Sequence, residues 1–287
     1  MAYGKSIELF LANGTADSLI IAELSNWNGK AIKIPRIEVS ACNRDDLREP
    51  GVYFLFCKNE EEENDAVYIG EAENIYDRLV QHIRDYTAEK EKYYWNTTVV
   101  FTGRDLNKAH IRYLENKLVE IARNAKRYDI LTKNTYKNTK LKESQIAAMD
   151  EFIDNVQVLI SALGYKVLEP KVSKDSKTFD EDDCLYLSTG GTEAKGVITT
   201  EGFVLLAGAK INEKTSVKSL SKGAVKLRNK LMESELVDNF ITTDDIVFSS
   251  SSAAGDFVTG YSISGPQNWK NANGISLKEI EAQKTQE

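Results

Sequence analysis

The chain has 287 residues, enough for about two average domains. Hydrophobic residues make up 41% and charged residues 28%, and four prolines and 17 glycines exclude a collagenous or Pro-rich protein. A formal net charge of −7 argues against a generally sticky nucleic-acid binder and leaves room for a local basic face.

Residues 1–48 read as a β-rich extension, with strand-like composition over Ser6–Ala12, Ser18–Leu24 and Lys30–Pro35 and a turn signal at Asn13-Gly14. Gly51–Cys57 is an apolar run of the kind found in buried strands, followed by an acidic loop over Glu60–Asp65 and a short strand over Ala66–Gly70. Asn74 starts a helix carrying Ile75, Leu79, Ile83 and Tyr86 on one face. Thr97–Thr102 predicts a third strand. Asp105 is placed to cap a long helix that turns Ile111, Leu114, Leu118 and Ile121 to one side. The expected unit is α+β, with a small three-stranded sheet flanked by helices.

Residues 126–142 are polar and irregular. Ile146, Met149, Phe152, Ile153, Val156, Leu159, Ile160 and Leu163 then recur at helical spacing. Residues 169–184 are charged, lack periodicity and read as a linker. Beyond it, a second, smaller α+β domain is expected over 185–280. Strands are predicted at Leu185–Leu187, Gly196–Thr199, Phe203–Gly208 and within Phe240–Ser249. Helices are predicted over Val217–Leu236 and Ser251–Gly260, with Trp269 closing the fold and a frayed tail after Ile280. Gly190–Gly196 lacks the Lys-Ser/Thr of a phosphate-binding loop and reads as a hairpin or loop.

One ordered set of residues carries chemistry. Gly51-Val52-Tyr53 is followed by Tyr68-Ile69-Gly70, then Arg78 ten residues after Tyr68, His82 four after that, and Glu115 within the next long helix. This set resembles the GIY-YIG nuclease superfamily over about residues 49–140, with valine in place of the isoleucine of the first tripeptide. The resemblance implies that the tripeptides lie on neighbouring strands and that Tyr53, Tyr68, Arg78 and His82 are catalytic. It also implies that Glu115 binds a catalytic Mg²⁺ or Mn²⁺. For the family's later asparagine, Asn134 is preferred and Asn138 is the rival. Two features depart from the family pattern. The loop between the tripeptides is longer than usual, and Glu71 and Glu73 stand where many relatives carry basic or hydroxyl residues.

These residue types suit phosphodiester hydrolysis, in which charge builds on the phosphate oxygens. Arg78 and His82, at i and i+4, share a helix face. A guanidinium offers fixed, forked donors to those oxygens and stays charged. A single carboxylate suffices to hold Mg²⁺ when phosphate oxygens and waters complete the shell. A tyrosine, with a pKa of ~10, needs nearby positive charge to act as a base, and sequence does not choose between Tyr53 and Tyr68. His110 lies about 140° around the helix from Glu115, taking ~100° per residue, and is expected to be structural.

The C-terminal segments Phe203–Lys210, Ser219–Ser221 and Ser251–Ala254, with Gly260 and Trp269, resemble a domain of unknown function that accompanies GIY-YIG domains in many prokaryotic proteins. Lys218, Lys222, Lys226 and Lys230 recur every four residues and are expected to form one basic helical stripe facing nucleic-acid phosphates. The combined expectation is a metal-dependent DNA endonuclease, with residues 49–168 cutting and 185–280 recognising DNA or a protein partner. An RNA-directed nuclease and a non-catalytic binding module are the alternatives. Three dispersed cysteines, no apolar run of ~18–20 residues and no signal-peptide core predict a reduced, cytoplasmic protein.

Overall fold

The computed structural model describes residues 4–58, 65–135, 139–170 and 183–284. The acidic loop before Asp65, the rival Asn138 and linker residues 171–182 lie outside that set. The chain divides into two compact units, Met1–Lys171 and Val172–Glu287.

In the first unit the elements run β1 (Ile7–Leu11), β2 (Ile20–Leu24), β3 (Gly29–Pro35), α1 (Arg36–Val39), β4 (Gly51–Lys58), β5 (Asp65–Ala72), α2 (Ile75–Thr87), β6 (Trp95–Gly103), α3 (Lys108–Ala125), β7 (Asp129–Ile130) and α4 (Glu143–Ala162). The fold is α+β as expected, and β4, β5 and β6 are the three anticipated strands. The sheet extends further, in the order β1-β2-β3-β6-β4-β5-β7. The N-terminal strands join it because β3 pairs with β6 along its length, from Gly29 opposite Gly103 to Pro35 opposite Thr97. Apolar patterning marks a strand but does not name its partner.

β4 lies between β6 and β5, which explains its unbroken apolar run: both of its faces are covered. Val52, Phe54 and Phe56 face a core built with α3 and α4. Tyr53, Leu55 and Cys57 face a second core that includes Ile75 and Leu79 of α2. The Asn74 side chain caps α2 by accepting from the Asp77 amide. Asn107, rather than Asp105, caps α3: its side chain accepts from the Ala109 and His110 amides. Asp105 takes a left-handed φ of 63°, whereas an N-cap needs extended backbone.

The segment read as irregular contains β7, which pairs in parallel with Ala66 and Val67 of β5. Thr132 extends this join: its hydroxyl accepts from the Ile69 amide at 2.8 Å and donates to the Ile69 carbonyl at 2.7 Å.

The second unit contains β8 (Leu185–Thr189), β9 (Thr192–Thr199), β10 (Gly202–Leu205), α5 (Lys222–Met232), β11 (Val237–Asp238), β12 (Ile241–Thr242), β13 (Ile246–Phe248), α6 (Ser251–Thr259), α7 (Gly265–Asn268) and α8 (Leu277–Lys284). Its four-stranded sheet has the order β13-β10-β9-β8 and packs around Phe203, Phe257 and Trp269. β9 begins at Thr192, earlier than expected, so Gly190-Gly191 is the turn of a hairpin with β8. The predicted 217–236 helix is shorter, because Ser221 caps α5 and the chain before it forms a turn held by buried Leu220. The tail after Ile280 continues as helix to Lys284. Among the described residues, no helix is long and apolar enough to cross a membrane.

Candidate active site

The two tripeptides lie side by side. Tyr53 of β4 pairs with Gly70 of β5, and Leu55 pairs with Tyr68. The tyrosine rings stack with centroids 6.2 Å apart. Gly70 allows this arrangement, because a Cβ there would stand 2.5 Å from the Tyr53 hydroxyl oxygen. Gly51 serves the other strand pairing, since a Cβ at that position would run into the Phe101 carbonyl of β6.

β7 covers only the first residues of β5. Past Ile69, a cleft of about 540 Å³ is lined by Tyr53, Tyr68, Glu71, Arg78, Lys108, Glu115 and Asn134, among others. Alternation along β5 sends Tyr68 toward the α2 side and Glu71 toward the α3 side, and the cleft takes residues from both.

Of the residues expected in the site, Tyr53, Tyr68, Arg78, Glu115 and Asn134 therefore meet in one cleft. Asn134 is carried there by the segment that Thr132 anchors to β5. His82 is not on the cleft wall. It is 1% exposed and sits behind Tyr53, whose hydroxyl is 2.9 Å from its Nε2. Its first-turn neighbour Arg78 donates from Nε to the same hydroxyl at 3.3 Å and from Nη1 to Gln81 at 2.8 Å.

Glu115 is the one charged residue on the buried face of α3, among Ile111, Leu114, Leu118 and Val119. Its Oε2 is buried without a hydrogen-bond partner. Burial, followed by the nearby Glu71 carboxylate, pushes its pKa up to about 7, against the pull of Lys108, Arg112 and Arg78. Burial also raises Tyr53 well above the ordinary tyrosine value, with Tyr68 adding to it and Arg78 opposing, so Tyr53 rests as the phenol. Tyr68, half-buried, is raised by the same desolvation and lowered in part by Arg78.

Sequence reasoning missed Glu71, Lys108 and Glu91 as site residues. Lys108 bonds the Glu71 carboxylate at 3.0 Å. Strand alternation carried the signal for Glu71, which falls on the same side as Ile69 and hence toward α3. Glu91, 2.5 Å from His82 Nδ1, follows α2 in a non-helical stretch and had no periodic signal. His110 is structural: its Nδ1 meets the Asp105 carbonyl at 3.3 Å and its Nε2 meets Gln145 at 3.2 Å.

The basic stripe is partly broken. Lys222, Lys226 and Lys230 lie at i, i+4 and i+8 on α5 and are exposed, but Lys218 precedes the helix in the turn before its cap. Arg228 of the same helix is buried and donates to the Thr215 hydroxyl and the Asn212 and Phe257 carbonyls, holding the unit together from inside.

Residues 49–129 match the model of the GIY-YIG catalytic domain. The chain carries a GIY-YIG domain. Residues 185–281 match a second model, a domain of unknown function (DUF4357). No curated protein and no solved structure matches the chain significantly. The GIY-YIG match supports a nuclease-type function in general and, with it, a nucleic-acid substrate. The cleft described above belongs to the GIY-YIG domain and its continuation to Asn134.

Proposed function

We propose that the protein is a divalent-metal-dependent endonuclease that hydrolyses DNA phosphodiester bonds, cutting with residues 49–168 and recognising substrate or a partner with residues 185–280. The observation that carries this reading is the convergence of Tyr53, Tyr68, Arg78, Glu115 and Asn134 on one cleft.

The Glu115 carboxylate is a hard oxygen donor that suits a hard cation. Four carboxylates, Glu71, Glu73, Asp77 and Glu115, line the cleft against two cations, Arg78 and Lys108, so phosphate entering alone meets net negative charge. The partnerless Oε2 of Glu115 is an acceptor in want of a positive partner. Glu115 would hold Mg²⁺ or Mn²⁺, with phosphate oxygens and waters as the remaining ligands. Bound there, the ion would polarise the phosphate and acidify an attacking water.

The protein groups do the rest. Arg78, fixed by Tyr53 and Gln81, presents a guanidinium to the oxygens on which charge develops. Asn134, on the cleft lining, offers an amide to orient the phosphate. Tyr53 is the better placed of the two tyrosines to take a proton from water, because His82 Nε2 lies 2.9 Å away to receive the proton that Tyr53 gives up. Tyr68 packs against Tyr53 and shapes the pocket for the attacking water.

Supercoiled DNA, single-stranded DNA and RNA incubated with the protein and Mg²⁺ or EDTA test the proposal. Mg²⁺-dependent nicking of the plasmid, abolished by EDTA, is the expected result. Cleavage of RNA alone would change the substrate, and cleavage of none of the three would end the nuclease reading.

A further inference from the structure

Behind the cleft, a chain of three side chains runs inward from Tyr53. The Tyr53 hydroxyl meets His82 Nε2 at 2.9 Å, and His82 Nδ1 meets Glu91 Oε1 at 2.5 Å. Arg78 Nε can only donate, and it points at the Tyr53 oxygen. A phenol hydrogen directed at His82 Nε2 leaves the imidazole its own hydrogen on Nδ1, from which it is donated to Glu91. Resting on the nuclease reading above, we propose that Glu91 is a positioning residue that holds His82 in the Nδ1–H tautomer and keeps Nε2 free to receive the Tyr53 proton.

The surroundings suit this role. His82 is 1% exposed and the Glu91 side chain 16%, so few waters compete for the bond. The groups facing His82 are Tyr53 and Tyr68 from the sheet, Arg78 from its own helix, Arg36 from α1, and Glu91. Arg36 is itself buried, its guanidinium 5.1 Å from the Tyr86 ring centroid and 4.6 Å from those of Tyr94 and Trp95. Burial raises the Glu91 carboxyl, while Arg78 and Arg36 favour its charged form. Burial, then Arg78 and Arg36, push the His82 pKa down, so the ring rests neutral, and the Glu91 carboxylate at Nδ1 is the group that would offset the charge once Nε2 takes a proton.

In the reaction, the water oxygen forms its bond to phosphorus as its proton moves to the Tyr53 oxygen, and the Tyr53 proton moves to His82 Nε2. The bond from phosphorus to the leaving oxygen breaks, and that oxygen takes a proton from solvent. His82 then returns its proton through Tyr53 to solvent, so one water is consumed. Glu91 stabilises the transient imidazolium without taking its proton.

The chain has two histidines, and ¹⁵N NMR of histidine-labelled full-length protein, with a His110→Asn variant for assignment, reads the His82 tautomer directly. The expected signals are a protonated, pyrrole-type Nδ1 and a pyridine-type Nε2. In Glu91→Gln the amide can also donate to Nδ1, and the pattern should shift toward the Nε2–H form. The same variant should lose kcat by ~10²-fold, with KM and the Mg²⁺ requirement unchanged, and Glu91→Asp should recover part of it. Wild-type His82 protonated on Nε2, or Glu91→Gln cleaving at the wild-type kcat, would overturn the assignment. If Glu91→Gln does not fold, the wild-type spectrum still decides the tautomer. Wild-type protein that cuts no nucleic acid would defeat the nuclease reading alone, because the spectrum is read without substrate.

Discussion

Replacing Glu115 by glutamine should stabilise the metal-free protein while destroying its activity. The carboxylate is 6% exposed, faces Glu71, and has one oxygen without a hydrogen-bond partner, so its ionised form strains the fold. Its pKa rises from an ordinary 4.5 to about 7 in the folded chain. A group raised in this way contributes most at low pH and loses that contribution as pH climbs through the folded value. At 1.36 kcal/mol per tenfold change in ionisation, the full penalty at about pH 8 is ~3 kcal/mol. Solvent in the open cleft screens part of it, leaving ~1–2 kcal/mol. For a unit of this size that corresponds to a Tm higher by about 3–6 °C in Glu115→Gln than in wild type at about pH 8 with EDTA, shrinking toward zero near about pH 4. Mg²⁺ at a hundred times its Kd should raise wild-type stability by ~2.7 kcal/mol and leave the variant unmoved. Thermal melts across pH, with and without Mg²⁺, make the comparison. Equal Tm values at about pH 8 with EDTA would show that Glu115 is not strained, and an equal Mg²⁺ gain in both proteins would show that it is not a metal ligand.

Three further outcomes are expected. Arg78→Lys should lose most cleavage, at least ~10-fold in kcat/KM, because lysine keeps the charge but not the forked donors that reach Tyr53, Gln81 and a phosphate together; near-normal rates would reduce Arg78 to a screening charge. Gly70→Ala should destabilise the protein by ~1–3 kcal/mol in denaturant titration and depress cleavage, since the new methyl meets the Tyr53 hydroxyl; an unchanged midpoint would show that the tyrosine moves freely. Changing Lys222, Lys226 and Lys230 to glutamine should flatten the salt dependence of DNA binding by up to ~3 in log–log slope, about 0.9 per lost phosphate contact, and an unchanged slope would make them a solvated helix face.

The strands and helices that build the cleft were legible because their patterns are local. The run at Gly51–Cys57, the Asn74 cap and the 3.6-residue periods of α2, α3 and α4 each reflect burial on a definite face. What escaped was non-local. β7 is two residues long and is held by a Thr132 hydroxyl rather than by patterning, yet it brings Asn134 to the cleft. The N-terminal strands were visible as strands, but their pairing with β6 spans about 70 residues of chain and leaves no mark in composition. His82 was grouped with Arg78 because helix geometry puts them on one face; depth separates them, with Arg78 on the cleft wall and His82 beneath Tyr53. Lys218 fell out of the stripe because Ser221 caps α5 after it, and a four-residue spacing carries no information about where a helix begins.

The central claim is that the Tyr53–Arg78–Glu115 cleft cuts phosphodiester bonds. Conversion of supercoiled plasmid to nicked circles, followed in parallel for wild type and Glu115→Gln, tests it most directly. Wild-type protein should nick with Mg²⁺ and stop with EDTA, while folded Glu115→Gln should leave the plasmid supercoiled in both. Nicking by Glu115→Gln at the wild-type rate, or no Mg²⁺-dependent nicking by the wild type, would contradict the account.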